Sequence, residues 1–233
     1  MTNEISMTQA AENSIAPPLH DEILAGIREM IFTGALIGGQ RVPEKMICEQ
    51  LSISRTPLRE ALKVLASEGL LELLPNRGAR VSRLTAAEVD EMFPVMGALE
   101  GLAGEIACQR ISDDGIDEIR ALHYQMAAHH KRREFSEYFC LNQQIHENIM
   151  AATGNATLAI MYASLAARIR MARYRANFSQ SRWDQAMAEH DEILSALTER
   201  DGPRLTRVLS AHLKNTCETV KKVIFNAEAE EAP

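Results

Sequence analysis

The chain has 233 residues, of which 46% are hydrophobic and 24% charged, and its formal net charge of -7 is a poor overall match to nucleic-acid binding. Its longest apolar stretches are far shorter than the roughly 20 residues of a membrane-spanning helix, and residues 1–18 lack the basic and apolar regions of a secretory signal. The four cysteines include no Cys-x-x-Cys pair, which argues against a zinc ribbon or a redox motif, so we expect reduced thiols and a cytoplasmic protein.

The sequence predicts a mainly α protein whose first domain spans residues 19–84, behind a flexible tail at 1–18. Apolar residues recur at three- and four-residue spacing in its first helix, and glycines and prolines mark the breaks that follow. Three helices followed by a β-hairpin are typical of a winged helix-turn-helix. The predicted elements are helices at 20–33, 44–51 and about 55–68, then strands at 70–74 and 79–84.

At Thr85 the pattern changes, because Thr85 and Glu88 have the spacing of a helix capping box and no strand-like alternation follows. We therefore place the domain boundary there and predict an antiparallel helical bundle over 85–226, with a frayed acidic tail at 227–233. Residues 19–84 carry nine basic and eight acidic side chains, whereas residues 85–233 carry 16 and 22, a split that suits a DNA-binding module on an acidic partner domain. The predicted helices span 85–110, 114–132, 134–152, 155–176, 181–200 and 203–226.

The third predicted helix carries Arg55, Arg59 and Lys63 four residues apart on one face, beside an apolar stripe of leucines. A helix of this kind fits the major groove of DNA, where an arginine can donate two hydrogen bonds to the O6 and N7 atoms of guanine. Arg55 and Arg59 are therefore the candidates for reading bases. The alternative is that the three cations form a solvated helix face.

Other residues of the first domain are candidates for contacts with the DNA backbone. Ser54 and Thr56, at the start of the third helix, can donate hydroxyl or backbone N–H bonds to phosphate oxygens. Arg41 is a further phosphate candidate. The hairpin tip around Arg77 and Gly78 is small and basic, as a wing that reaches toward the minor groove requires, and Gly78 permits a positive φ.

A series of short motifs runs through the first domain: Gly34-x-Leu36, Gly39-x-Arg41-Val42, the segment Ser54-Arg55-Thr56-Pro57-Leu58-Arg59-Glu60-Ala61-Leu62, Glu68-Gly69-Leu70 and Pro75-x-Arg77-Gly78. Together these motifs resemble the GntR family of bacterial regulators. The resemblance implies a DNA-binding transcription regulator rather than an enzyme, and we expect a repressor. We expect two chains to form a homodimer that places its recognition helices on an imperfect palindrome of double-stranded DNA.

Asn142 and His146 are four residues apart on one predicted helix, and His190 and His212 fall on two others. Imidazoles from three helices could converge inside a bundle on a divalent transition ion, with the Asn142 oxygen as another ligand. A single histidine is more often a surface residue or a hydrogen-bonded core residue, and spacing alone does not establish convergence.

The order Asn142-x-x-x-His146, Glu189-His190-Asp191-x-Ile193-Leu194 and His212-Leu213 resembles the FadR-like branch of GntR regulators, whose sensing domain is called FCD. Leu99-Glu100 and Thr153-Gly154-Asn155 match as well. The resemblance implies that Asn142, His146, His190 and His212 hold a divalent metal such as zinc or nickel. It also implies that the effector is a small organic acid whose carboxylate coordinates that metal.

Met96 stands where many relatives in that branch carry an arginine that lines the effector pocket. Met96, Tyr138 and Arg168 are our candidates for effector contacts, with Tyr138 as a pocket wall. Four arginines lie on one predicted helix, and we expect one or two of them to turn inward toward an acid. The alternative is that they form a solvated or dimer-contacting face. They are Arg168, Arg170, Arg173 and Arg175.

Two alternatives remain open from the sequence. Three histidines around a metal are also hydrolase chemistry, although His146-Glu147 begins a His-Glu-x-x-His motif that ends in Met150 and so lacks the second histidine. The second alternative is an architectural DNA-binding protein whose helical bundle only dimerises and holds no metal.

Overall fold

The computed structural model describes residues 19–176 and 180–230, which form a small N-terminal unit and a larger helical unit. The tail predicted at 1–18 lies outside the described residues. Within the ranges described, no helix is long and apolar enough to cross a membrane. The N-terminal unit consists of α1 (Leu19–Phe32), α2 (Glu44–Gln50), α3 (Arg55–Ser67), β1 (Leu71–Leu74) and β2 (Gly78–Val81).

The N-terminal unit is the predicted winged helix-turn-helix, built around one apolar core. The amphipathic faces of α1 and α3 pack together and bury Ile27, Leu58 and Leu65 completely. The strands β1 and β2 pair antiparallel, with Leu71 opposite Val81, and add their inward side chains to the same core. The apolar side of α3 is thereby fixed against the core, which leaves its basic side in solvent.

The larger unit is a helical bundle whose helix bounds lie within two residues of the predicted ones, except at the C-terminal end of the last helix. That helix continues to Glu230, past the predicted end at 226, and residues 231–233 lie outside the described part of the chain. The helices are α4 (Ala86–Arg110), α5 (Asp113–Arg132), α6 (Phe135–Ala152), α7 (Ala156–Ala176), α8 (Gln180–Thr198) and α9 (Gly202–Glu230).

The boundary at Thr85 has the predicted capping box. The Glu88 backbone N–H donates to Thr85 Oγ1 at 3.2 Å, and the Thr85 N–H donates to the Glu88 carboxylate at 2.9 Å. The hydrogen bond from the Thr85 backbone is the main cause that lowers the pKa of Glu88. These bonds satisfy two otherwise orphaned groups where α4 begins.

The pair α4 and α9 lies in close contact through small residues. A Cβ atom on Gly104 would lie 2.8 Å from the Leu209 side chain, so the glycine allows α9 to approach α4 closely. Around this pair, α6, α7 and α8 turn their inner faces toward α4 and α9. Side chains from five helices therefore meet in the interior of the bundle.

Helix α7 contacts both units. Met171 is buried in the core of the N-terminal unit, and the Arg170 guanidinium lies 4.4 Å from the centre of the Phe32 ring of α1. Arg168 forms an ion pair of 2.5 Å with Glu88 and packs against Gly69, which follows α3. One helix of the bundle thus holds the winged helix-turn-helix in place.

Candidate metal centre and DNA-binding surface

His146 from α6, His190 from α8 and His212 from α9 converge inside the bundle. All three side chains are buried, and their candidate ligand atoms lie within 4.8 Å of one another. The centres of the three rings are 5.0–5.2 Å apart. The fold thus brings together the three predicted histidines. Their spacing in the sequence does not by itself show that they converge.

Carboxylates lie next to two of the three imidazoles of this histidine cluster. His212 Nδ1 donates to Glu189 Oε2 at 2.6 Å, and His146 Nδ1 lies 2.9 Å from Glu100 Oε2. A carboxylate at Nδ1 favours the tautomer with hydrogen on that atom and leaves the Nε2 lone pair available as a ligand. Both Nε2 atoms therefore face the centre of the cluster with a lone pair.

The residues at this centre fit a divalent transition ion. Neither ring nitrogen of His190 has a hydrogen-bond partner among the described residues, although the side chain is buried, and such orphaned polar atoms are costly. Imidazole nitrogen is a preferred ligand of zinc and nickel, and the orienting carboxylates provide the outer shell that metal-bound histidines usually have. An ion would satisfy the buried lone pairs.

Asn142 lies one helical turn before His146 on α6, as predicted, and it is buried with its Nδ2 atom unpartnered among the described residues. Tyr138 lies one further turn back, and its buried hydroxyl is likewise without a partner in those residues. Burial raises the pKa of Tyr138, while the positive charges of Arg182 and Arg173 act in the opposite direction. One face of α6 thus presents a phenol, an amide and an imidazole in succession.

Arg173 of α7 is the arginine that turns inward. Its side chain is only 2% exposed, and its Nη2 atom lies 3.0 Å from His212 Nε2 and 3.3 Å from His146 Nε2. Arg168, which we expected to line the effector pocket, lies elsewhere, because Glu88 holds its guanidinium at the junction with the N-terminal unit. The side chain of Arg175 lies outside the described part of the structure.

Met96 is buried one turn before Glu100 on α4, in an apolar cluster with Met150 and Leu213. Glu100, which lies on the same face of α4 one turn later, contacts His146. The Met96 thioether cannot neutralise a carboxylate. In the described residues, the buried cation nearest the histidines comes from α7.

Burial is the main cause that holds the pKa values of His190 and His212 well below the usual value of 6.5. The unfolded chain takes up protons on these histidines near pH 6.5, whereas the folded chain does so only at lower pH. In chelator-treated protein, the free energy of unfolding should therefore fall as pH drops below 6.5, by about 1 kcal/mol per histidine at pH 5.5. Urea denaturation at pH 7.5, 6.5 and 5.5 measures this loss.

The matched variant for this pH prediction is His190→Gln, which removes one of the two titrating groups. Its unfolding free energy should depend less steeply on pH than that of the wild type. Equal slopes for the two proteins between pH 7.5 and 5.5 would contradict the assigned direction of the His190 pKa.

The basic face of α3 is exposed as a DNA-reading helix requires. Arg55, Arg59 and Lys63 are exposed, and the Arg59 side chain is 65% accessible, whereas the leucines on the opposite face are buried. Lys63 pairs with Glu60 at 2.8 Å, and Arg59 lies 3.8 Å from Glu44 of α2. Both ion pairs are exposed and weak, so the arginines remain available to a ligand.

The backbone-contact candidates surround α3. Ser54 is the N-cap of α3 without a side-chain cap bond, so its hydroxyl is not used within the helix, and Thr56 is exposed in the first turn. Arg41 and Arg77 are both exposed, and Arg41 forms a backbone bridge with Arg80 of β2 beside the wing. Gly78 has a φ of 78°, the left-handed conformation expected at the wing tip.

Glu100 and Glu189 have no role among the predictions from the sequence, and Arg173 appears there only as one of four arginines of which one or two were expected to turn inward. The two glutamates stood inside the motifs Leu99-Glu100 and Glu189-His190, and the arginine stood in the crowded stretch of α7. The motifs could therefore have indicated that these side chains belong to the site. They did not indicate which histidine nitrogen each side chain contacts, because that depends on how separate helices pack.

Two parts of the chain match known protein families. Residues 19–81 match the family described as bacterial regulatory proteins, gntR family, and residues 91–215 match the FCD domain. The HTH-type transcriptional repressor RspR of Escherichia coli K12 is 25% identical over 93% of this chain and 95% of its own length. The uncharacterized HTH-type transcriptional regulator YdhC of Bacillus subtilis is 26% identical over 89% of this chain and 93% of its own length.

Among solved structures, E. coli McbR/YncC superposes with a TM-score of 0.81, at 20% identity, over 89% of this chain and 99% of its own. At that identity the likeness supports the fold. The FCD match alone covers more than half of the chain and includes all three histidines. The chain belongs to the GntR family and is a transcriptional regulator that joins a gntR-type winged helix-turn-helix to an FCD domain.

Proposed function

We propose that this regulator is a repressor whose operator binding is modulated by a small organic acid held at a metal centre of Asn142, His146, His190 and His212. The observation that carries the proposal is the convergence of three buried imidazoles in the FCD domain, among which both nitrogen atoms of His190 have no hydrogen-bond partner in the described residues. Buried polar atoms without partners are expensive, so a site that keeps several of them is suited to a polar ligand.

In this proposal the ion would be held by the three imidazoles and the Asn142 amide, and when bound it would offer open positions to a carboxylate. Glu189 accepts a hydrogen bond from His212 Nδ1, and the Glu100 carboxylate lies 2.9 Å from His146 Nδ1; both contacts favour the tautomer whose Nε2 can bind a metal. The Tyr138 hydroxyl, which is buried and unpartnered within the described ranges, would donate a hydrogen bond to the acid. The surrounding apolar side chains exclude water and strengthen these interactions.

The acid would act on DNA binding through α7. This helix carries Arg173 at the histidine cluster, while Arg170 and Met171 contact the N-terminal unit. A ligand that shifts α7 changes the position of the winged helix-turn-helix, provided that it binds the two arrangements with different affinities. In a homodimer on an imperfect palindrome, that change alters the spacing of two recognition helices.

The geometry supports the regulator over the hydrolase alternative. Glu147, the acidic residue next to His146, is exposed, and its carboxylate accepts a hydrogen bond from Gln143 at 2.9 Å. It therefore lies on another side of α6 than the histidine, as its position in the helix predicts. A metalloprotease-type base would have to lie beside the metal.

A thermal-shift screen of small organic acids, each with and without added zinc or nickel, tests the proposed ligand. A matching acid at about 100 times its dissociation constant should stabilise the protein by about 2.7 kcal/mol, which corresponds to a rise in melting temperature of about 5–10 °C. The shift should require the metal. If no acid raises the melting temperature more with metal than after chelator treatment, the proposed effector class is wrong.

A further inference from the structure

The two oriented imidazoles share one hydrogen-bond donor at their ligating atoms. Arg173 Nη2 lies 3.0 Å from His212 Nε2 and 3.3 Å from His146 Nε2. The Nδ1 atoms of the same rings face Glu189 and Glu100. Because each Nδ1 faces a carboxylate, Nε2 carries the lone pair of each ring, and the guanidinium of Arg173 uses both lone pairs.

A metal ion would need the same two lone pairs. A transition ion binds imidazole nitrogen at about 2.0–2.1 Å, so an ion on both Nε2 atoms would lie where the guanidinium now donates its hydrogen bonds. Each lone pair serves one partner at a time, and two cations this close repel strongly in a buried site. The guanidinium and the ion therefore exclude each other.

We infer that Arg173 is an internal competitor of the metal ion, whose guanidinium must leave Nε2 of His146 and His212 before an ion can bind both. This inference rests on the proposed metal centre and goes beyond it, because it assigns the metal affinity of the site to a residue that is not a ligand. Arg173 is a positioning residue in this role. It holds the imidazoles together in the interior and sets the free energy that an ion must supply to replace it.

Two substitutions of Arg173 separate the effect of its charge from the effect of its side-chain shape. Arg173→Gln keeps a polar side chain but removes the charge and most of the donors, whereas Arg173→Lys keeps a cation within reach of the imidazoles. Arg168→Gln removes a charge from the same helix at a place where the guanidinium is paired with Glu88, away from the histidines. It is the control for general effects on α7.

The experiment is a zinc titration of each full-length protein against a chromophoric chelator at pH 7.5. Arg173→Gln should bind zinc about 10- to 100-fold more tightly than the wild type, because hydrogen bonds from a charged donor no longer have to be broken. Arg173→Lys should bind more weakly than Arg173→Gln, and Arg168→Gln should match the wild type. Damage to the site would instead weaken binding in both variants at position 173.

The outcomes distinguish the inference from the proposed function. If the wild type binds zinc and Arg173→Gln binds it equally or more weakly, the inference is overturned and the metal centre stands. If only Arg173→Gln binds zinc, the competition is confirmed and the proposed metal centre of the wild type fails. If neither protein binds zinc, both are overturned.

Discussion

Arg59→Ala will weaken binding to the operator by about 10- to 100-fold at physiological salt. An arginine that donates two hydrogen bonds to a guanine contributes about 1–3 kcal/mol of discrimination, and the loss of that contact leaves the base unread. The fold should be intact, because the Arg59 side chain is 65% exposed and its ion pair with Glu44 is 3.8 Å long. Titration of a labelled operator fragment, selected from a random-sequence pool with the wild-type protein, measures the effect.

Lys63→Ala is the matched control for this prediction, since it removes a cation from the same exposed helix face but one that is paired with Glu60. Lys63→Ala should weaken binding to the operator and to non-specific DNA to the same extent. The loss of operator affinity should be smaller than in Arg59→Ala. Arg59→Ala should reduce mainly the preference for the operator. If Arg59→Ala retains the wild-type operator affinity at physiological salt, Arg59 does not read a base.

His190→Ala will lower the affinity for zinc by more than about 100-fold. His190 is a buried member of the histidine cluster, and neither of its ring nitrogens has a hydrogen-bond partner in the described residues. Loss of an outer-shell partner already costs about 10- to 100-fold in metal affinity, and loss of a ligand should cost more. Competition titration against a chelator, followed by metal analysis of the purified protein, measures this loss.

His123→Ala is the control for the histidine prediction. His123 is also buried, but its Nε2 atom lies 3.0 Å from Asp191, and the side chain is outside the cluster of His146, His190 and His212. Zinc affinity should change little in this variant. Equal zinc affinity in the wild type and His190→Ala would mean that the metal centre is assigned to the wrong residues.

Periodicity and turn residues predicted most of the fold. The capping box at Thr85 and Glu88 located the start of α4 to one residue, because a cap is a local interaction that the sequence contains completely. The far end of α9 was less predictable. Acidic residues after 226 suggested fraying, but the helix continues to Glu230, and a run of alanines and glutamates has good helix propensity.

The histidines that converge in the candidate site could be named from the sequence, but the residues around them could not. Helical spacing places Asn142 and His146 on one face of α6, but whether His190 and His212 meet them depends on how α8 and α9 pack. Arg168 and Arg173 are five residues apart on α7, so they face different sides of the helix, and composition alone could not decide which of them turns inward. The packing of α7 against the N-terminal unit decides it.

We propose that an organic acid at the histidine cluster controls binding to DNA. The operator affinity of the full-length wild type tests this proposal, measured with and without an acid found in the screen, in metal-loaded and chelator-treated protein. We expect the acid to weaken operator binding about 5- to 150-fold in the metal-loaded protein, the usual range of coupling between two sites, and to have no effect after metal removal. If the acid changes operator affinity equally in metal-loaded and chelator-treated protein, control through the metal centre is wrong.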